Sequence, residues 1–272
     1  MSNFYKPNRN PKWNYGGPNW TLSRSKIDLF TNCPQCFYID NKLGTARPPG
    51  FPFNLNSAVD ALLKKEFDGH RANGTSHPLM EQYGVDAVPF DHPEMDAWRD
   101  SLKRGVQYAH PETGFLVRGG VDDIWKGSDG KLIVVDYKAT SKDKHIESLD
   151  EEWHSGYKRQ MEVYQWLLRM NGFEVSDRGY FVYCNASKDR EAFDGQLEFE
   201  VTLVPHDGDT SWIEGTLQDM KQCLESDAVP AASPDCDYCL YRNAAGLALR
   251  EHIARTGVKP PQRPSTNATL GI

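Results

Sequence analysis

The 272-residue sequence contains no run approaching the roughly 20 apolar residues that a bilayer-spanning helix needs. Its opening, MSNFYKPNRNPKWNYGG, is polar and aromatic and lacks the charged-then-apolar order of a secretory signal. Membrane and secreted classes are set aside, and a cytoplasmic protein is the expectation. No internal repeat marks a solenoid or propeller, and no helicase motif is present, so any unwinding would fall to a partner such as a helicase. Histidine is sparse: His70, His77, His92 and His110 have no paired ligand spacing, and structural or solvent-exposed roles are expected for them. Acids are missing from residues 1–26, which hold Lys6, Arg9, Lys12, Arg24 and Lys26. Residues 250–272 hold Arg250, Arg255, Lys259 and Arg263 against Glu251 alone. With a net charge of −7, the acid excess therefore lies in the body and both ends are basic. Such ends can neutralise phosphates, although short basic termini also occur in proteins that touch no nucleic acid.

What is present is ordinary for a globular chain of one or two domains: 39% hydrophobic and 25% charged residues, with enough Phe, Tyr and Trp for a sizeable core. Residues 1–20 read as an extended arm. Ser23 is placed to cap a helix whose Ile27, Leu29 and Phe30 face inward. NSAVDALLKKEFDGH sets Val59, Leu62, Leu63 and Phe67 at helical spacing. Residues 69–93 read as loop, and MDAWRDSLKRGVQYA as a further helix. FLVRGGVDDIW and KLIVVDYKAT read as two strands joined by the turn GSDG, and LIVV is apolar on both faces, as in a central strand. HSGYKRQMEVYQWLLRMNG is a helix ended by Gly172. GYFVYCN and LEFEVTLV are strands, SWIEGTLQDMKQCLES is the last long helix, and the tail beyond about 256 lacks a fold signal. The order predicts one α/β domain with a mixed sheet.

Alternate residues of a strand share a face, so VVDYKAT puts Asp136 beside Lys138. Asp122 sits on the preceding strand across the turn, within reach of Asp136. Two neighbouring carboxylates repel unless a proton or cation lies between them, and oxygen ligands favour Mg²⁺ or Mn²⁺. The carbonyl of Tyr137 is a further candidate ligand. Such an ion can polarise a phosphodiester and activate water, with Lys138 countering developing negative charge.

Six cysteines fall at 33, 36, 184, 223, 236 and 239. Cys33-Pro-Gln-Cys36 and Cys236-Asp-Tyr-Cys239 are two Cys-x-x-Cys pairs, which in a cytosolic chain argue for metal over disulfides. Ligand type alone leaves Zn²⁺ and an iron–sulfur cluster open. Cys184 and Cys223 read as small apolar residues in a strand and a helix.

Taken together, LSRSKIDLFTNCPQCFYI, NSAVDALL, RGGVDDIW, LIVVDYKAT, QMEVY and PDCDYCLYR span residues 22–242 and resemble the PD-(D/E)XK nuclease superfamily, in its RecB/AddB/Cas4-like branch. The resemblance implies an α/β, restriction-endonuclease-like core: a central mixed β-sheet flanked by helices, its N- and C-terminal segments joined by a four-cysteine metal site. It divides the chain into a basic, aromatic arm (1–21), a single nuclease domain (22–255) and a flexible tail (256–272). Gln160 and Tyr164 match the branch's Gln-x-x-x-Tyr motif and, spaced i, i+4, share a helix face. Where the branch supplies a His from the preceding helix, Asp60 stands, a harder ligand that can still bind a divalent cation. Several members carry a [4Fe–4S] cluster on one early and three late cysteines. Cys33, Cys236 and Cys239 match three of these, Ala244 and Ala245 stand near the place of the fourth, and Cys36 is its substitute. The resemblance favours a [4Fe–4S] cluster, with Zn²⁺ as its rival.

The implied function is a Mg²⁺- or Mn²⁺-dependent deoxyribonuclease with exonuclease-like action on single-stranded or end-containing DNA, in repair, recombination or defence. Phe4, Tyr5, Trp13, Tyr15 and Trp20 either stack on single-stranded nucleic acid or pack the arm onto the body. The alternative is a catalytically inactive, metal-stapled nucleic-acid-binding or assembly subunit.

Overall fold

The computed structural model describes residues 9–48, 50 and 54–258. After a 3-10 turn at Pro11–Trp13 come β1 (Leu22–Ser23), α1 (Arg24–Asn32), α2 (Pro34–Asn41) and the 20-residue α3 (Asn54–Asn73). There follow α4 (Pro78–Gln82), β2 (Ala87–Pro89), α5 (Met95–Arg99), β3 (Val106–Ala109) and β4 (Leu116–Gly119). The rest comprises β5 (Asp123–Gly127), β6 (Leu132–Thr140), α6 (Ser155–Met170), β7 (Arg178–Ala186), β8 (Phe199–Asp207), α7 (Trp212–Glu225) and α8 (Asp237–Thr256).

The doubly apolar run Leu132–Val135 lies in β6, the middle strand of a five-stranded mixed sheet ordered β2-β5-β6-β7-β8. β6 and β7 are parallel, joined across α6, and the other pairs are antiparallel. Alternation along β6 divides the core. Leu132 and Val134 join a cluster with Met161, Leu167 and Phe181 beneath α6, while Ile133, Val135 and Tyr137 join Leu63, Phe67 and Trp125 beneath α3. Asp136 and Lys138 therefore continue the row that faces α6. The β5–β6 hairpin turns at the expected GSDG, where Gly130 takes φ +86°.

FLVRGGVDDIW is not one strand. β4 belongs to a separate three-stranded sheet, β1-β4-β3, and the chain crosses at Gly119–Asp122 to enter β5. The two glycines allow close approach. A Cβ on Gly119 would meet the Tyr164 ring at 2.6 Å, and one on Gly120 would meet Ser101 Cα at 2.5 Å.

Other expectations are corrected. The helix expected over 95–109 ends at Arg99 because the Asp100 carboxylate accepts the backbone N–H groups of Leu102 and Lys103 in a turn. Gly105 then takes φ +79°, and Val106–Ala109 pairs with β4 as a strand. Residues 69–93 are not all loop, since α3 runs to Asn73 and α4 and β2 follow. Leu62 is exposed, although Leu63 and Phe67 are buried. A further long helix, α8, follows α7. It buries only Cys239 and so lacks the apolar stripe that betrays a helix in sequence. Phe4, Tyr5, Lys6, Lys259 and Arg263 lie outside the described residues.

Candidate active site

Asp136 is wholly buried, and neither carboxylate oxygen receives a hydrogen bond. Its ion-pair partner is Lys138, two residues on along the same face. The Lys138 ammonium also lies 4.5 Å from the centre of the Tyr157 ring and 5.9 Å from that of Phe181, so it is fixed on several sides. The register Asp123↔Val135 puts Asp122 opposite Asp136 one step beyond the paired residues. Asp122 Oδ2 accepts the backbone N–H of Tyr137 at 2.9 Å. Burial, reinforced by the Asp136 charge, pushes the Asp122 carboxyl up to about 6. A strand residue directs its N–H and C=O to the same edge, so the Tyr137 carbonyl also faces the Asp122 side.

The sequence does not say which aspartate of Val121-Asp122-Asp123-Ile124 is structural. Asp123 is fully buried and fully bonded: it accepts from Arg71 Nη2 at 2.5 Å, Arg99 Nη2 at 3.0 Å, the Tyr137 hydroxyl at 2.8 Å and its neighbour Ile124 N at 2.8 Å. Asp123 braces the hairpin and Asp122 is left with the site.

Asp60 lies on α3 but meets a lysine rather than the other acids. Lys64 Nζ stands 2.9 Å from Asp60 Oδ2 and 3.8 Å from Asp122 Oδ1, a positive charge between the two carboxylates. Among the described residues the cysteines alone form a group of three or more ligand atoms within 4.8 Å of one another, so Asp60, Asp122 and Asp136 are not so gathered. Lys64 was missed in the sequence, where only its i, i+4 spacing from Asp60 hinted at the bridge.

Gln160 and Tyr164 share the α6 face that covers the site. Gln160 Nε2 donates to the Tyr164 hydroxyl at 3.1 Å, and the Tyr164 ring packs on Gly119. Burial pushes the Tyr164 phenol up to about 12, and the charges of Asp122 and Asp136 add to the rise while Arg24 opposes it. Arg24, also missed in the sequence, follows the Ser23↔Arg118 pair and so comes level with Gly119. It has no ion-pair or hydrogen-bond partner among the described residues.

The donors fit a hard divalent cation. A buried carboxylate whose Oδ1 lacks a hydrogen-bond partner among the described residues, a second carboxylate opposite it, and a carbonyl on the same edge are the oxygens that Mg²⁺ or Mn²⁺ takes.

Three of the loop histidines make structural contacts. His77 accepts Leu79 N–H at the start of α4, His92 stacks on Trp98, and His110 bridges Thr113 and Glu214. Tyr15 and Trp20 pack edge-to-face on Phe115, Trp20 donates to Asn41, and Arg9 pairs with Asp40. Trp13 is exposed. These contacts fasten the described part of the arm to the body.

Cys33 and Cys236 cap the N-termini of α2 and α8, and with Cys36 and Cys239 they form one buried cluster joining the N- and C-terminal parts of the chain. Arg47 Nη2 approaches Cys236 Sγ at 3.4 Å. Cys184 is buried in β7 and Cys223 is half-buried in α7.

A sequence model of the PD-(D/E)XK nuclease superfamily matches residues 54–244. No curated protein gives a significant match. The crystal structure of SSO0001 aligns over 82% of this chain and 84% of that chain, at 14% identity and a TM-score of 0.35. That likeness carries no functional argument.

Proposed function

The chain belongs to the PD-(D/E)XK nuclease superfamily, and from that membership we propose that it is a Mg²⁺- or Mn²⁺-dependent deoxyribonuclease acting on single-stranded or end-containing DNA. The observation that carries the proposal is the juxtaposition of Asp136 with Asp122 across the hairpin, with Asp136 Oδ2 paired to Lys138 and its buried Oδ1 without a hydrogen-bond partner among the described residues. Lys138 and Lys64 offset two of the three carboxylate charges of Asp60, Asp122 and Asp136, and a divalent cation between Asp122 and Asp136 would offset the remainder.

Asp122, Asp136 and the Tyr137 carbonyl would hold the ion, which when bound supplies Lewis acidity towards a phosphodiester and a more acidic water. Lys138, fixed against Asp136 and the two rings, positions the attacking water and offsets negative charge that develops on the phosphate. Water oxygen would bond to phosphorus as the P–O bond to the leaving nucleotide breaks, with the water's proton ending on the leaving oxygen by way of solvent. The Gln160–Tyr164 pair presents neutral donors beside the same carboxylates, and Arg24 adds a cation for a phosphate. Asp60 would be a further ligand if a divalent ion took the place of the charge that Lys64 provides between Asp60 and Asp122.

On this reading residues 22–255 are the nuclease domain, and the protein works in repair, recombination or defence in the cytoplasm, with strand opening left to a helicase. No helix of the described residues is long and apolar enough to cross a membrane. The Lys64 bridge favours the second reading, an inactive binding or assembly subunit whose site a lysine has closed.

A substrate panel separates the two: end-labelled single strands, blunt duplex, closed circles and RNA, each with Mg²⁺, Mn²⁺ or chelator. Metal-dependent loss of linear single strands or duplex ends is expected. Cutting of nothing supports the inactive subunit, while preferred cutting of RNA or closed circles overturns the substrate class.

A further inference from the structure

The family resemblance implies a [4Fe–4S] cluster on the four cysteines, and the sulfur geometry does not fit one. Cys36 Sγ lies 3.4 Å from Cys239 Sγ and 3.7 Å from Cys236 Sγ, Cys33 Sγ lies 3.8 Å from Cys239 Sγ, and all four fall within 4.8 Å of one another. In a cubic cluster each thiolate binds a different iron, on the outside of a body that also holds four sulfides. Thiolates so arranged cannot touch one another, yet these sulfurs stand at contact distance. A single tetrahedral ion has the opposite requirement. With metal–sulfur bonds of about 2.3 Å, its ligands lie about 1.63 bond lengths apart, or roughly 3.8 Å.

The chain pattern agrees. Each Cys-x-x-Cys spans the first turn of a helix, α2 or α8, and a pair on one turn chelates one ion. The second member of the early pair, Cys36, makes the two shortest of these contacts, so it is a full ligand rather than a bystander.

Arg47 completes the site. Four thiolates around a divalent ion leave two negative charges in a buried place. The Arg47 guanidinium donates to Cys236 Sγ at 3.4 Å and stacks over the Tyr238 ring at 4.5 Å, which holds it there. Its Nε–H is buried and has no hydrogen-bond partner among the described residues.

We infer that the four cysteines bind one Zn²⁺ ion, with Arg47 as its charge partner, as a redox-inert staple between α2 and α8. Soft thiolates in a tetrahedral set suit zinc, and the staple anchors α8, which buries no other residue. This inference stands apart from the nuclease reading.

The test is metal and acid-labile sulfide analysis of the full-length protein, purified without air from cells supplied with both iron and zinc. One zinc per chain, no sulfide and a colourless solution are expected, and Co²⁺ exchange should give the charge-transfer and visible bands of a tetrahedral thiolate site. About four irons with sulfide, or a single iron, overturns the zinc assignment. Arg47→Ala should transfer zinc to a competing chelator with roughly 10–100-fold weaker retention, and Arg47→Lys should recover part of it. Unchanged retention in Arg47→Ala overturns the role of Arg47.

Discussion

Asp122 is ionised at neutral pH in a place that resists the charge, and replacing it separates stability from activity. In Asp122→Asn the amide oxygen can still accept the Tyr137 N–H, while the charge facing Asp136 disappears. A rise from the ordinary 3.8 to about 6, at 1.36 kcal/mol per pH unit, corresponds to about 3 kcal/mol. The folded protein holds this proton more tightly than the unfolded chain. The penalty for an ionised Asp122 is therefore absent below about pH 4, grows between about 4 and 6, and is complete above 6. At pH 8 without metal, the Asn variant should melt roughly 5–10 °C above wild type, on the usual scaling for a chain of this length. The gap should close by pH 4. Added Mg²⁺ should raise the wild type and leave the variant unmoved, because only a folded site that binds the ion gains from it. Calorimetry of both proteins across pH 4–8 measures all of this. A variant no more stable than wild type at pH 8, or a gap independent of pH, would show that the Asp122 charge carries no such penalty.

Three other substitutions probe the frame of the site. Lys138→Ala should lower the single-turnover cleavage rate roughly 10²–10³-fold, as loss of one fixed donor does elsewhere, with unchanged DNA binding by anisotropy. Gly119→Ala drives a methyl group into the Tyr164 ring, which overpacking places at about 1–3 kcal/mol in a denaturant melt, with a slower enzyme because Tyr164 moves. Arg71→Met leaves Asp123 buried with one cation fewer and should cost roughly 3–5 kcal/mol. A loss under 1 kcal/mol in urea unfolding would show that Arg99 alone satisfies Asp123.

The period-two pattern of VVDYKAT and the GSDG turn made the hairpin, and the pairing of Asp136 with Lys138, legible without coordinates, because strand geometry is local. FLVRGGVDDIW misled because a continuous apolar pattern does not reveal that Gly119 and Gly120 carry the chain from one sheet to another under Tyr164. The false helix over 95–109 came from good helix formers overruled by the Asp100 turn and by pairing with β4. α8 was invisible because a helix held at one end by cysteines needs no apolar stripe. Lys64 and Arg24 reach the site from elements far from it in sequence, and single lysines and arginines carry no local signal of what they will face. The cysteine pairs were legible as a candidate metal site, but the choice between one ion and a cluster rests on sulfur separations that spacing cannot supply.

If Asp136 holds a catalytic divalent ion, cutting depends on both the ion and that carboxylate. Cleavage of a labelled linear single strand by chelator-treated protein, with Mg²⁺ added back, tests it most directly when wild type and Asp136→Asn are compared at equal fold and equal cysteine-bound metal. Mg²⁺-dependent cutting by wild type and none by the variant is expected. Equal cutting by both, or cutting by wild type without added metal, would contradict it.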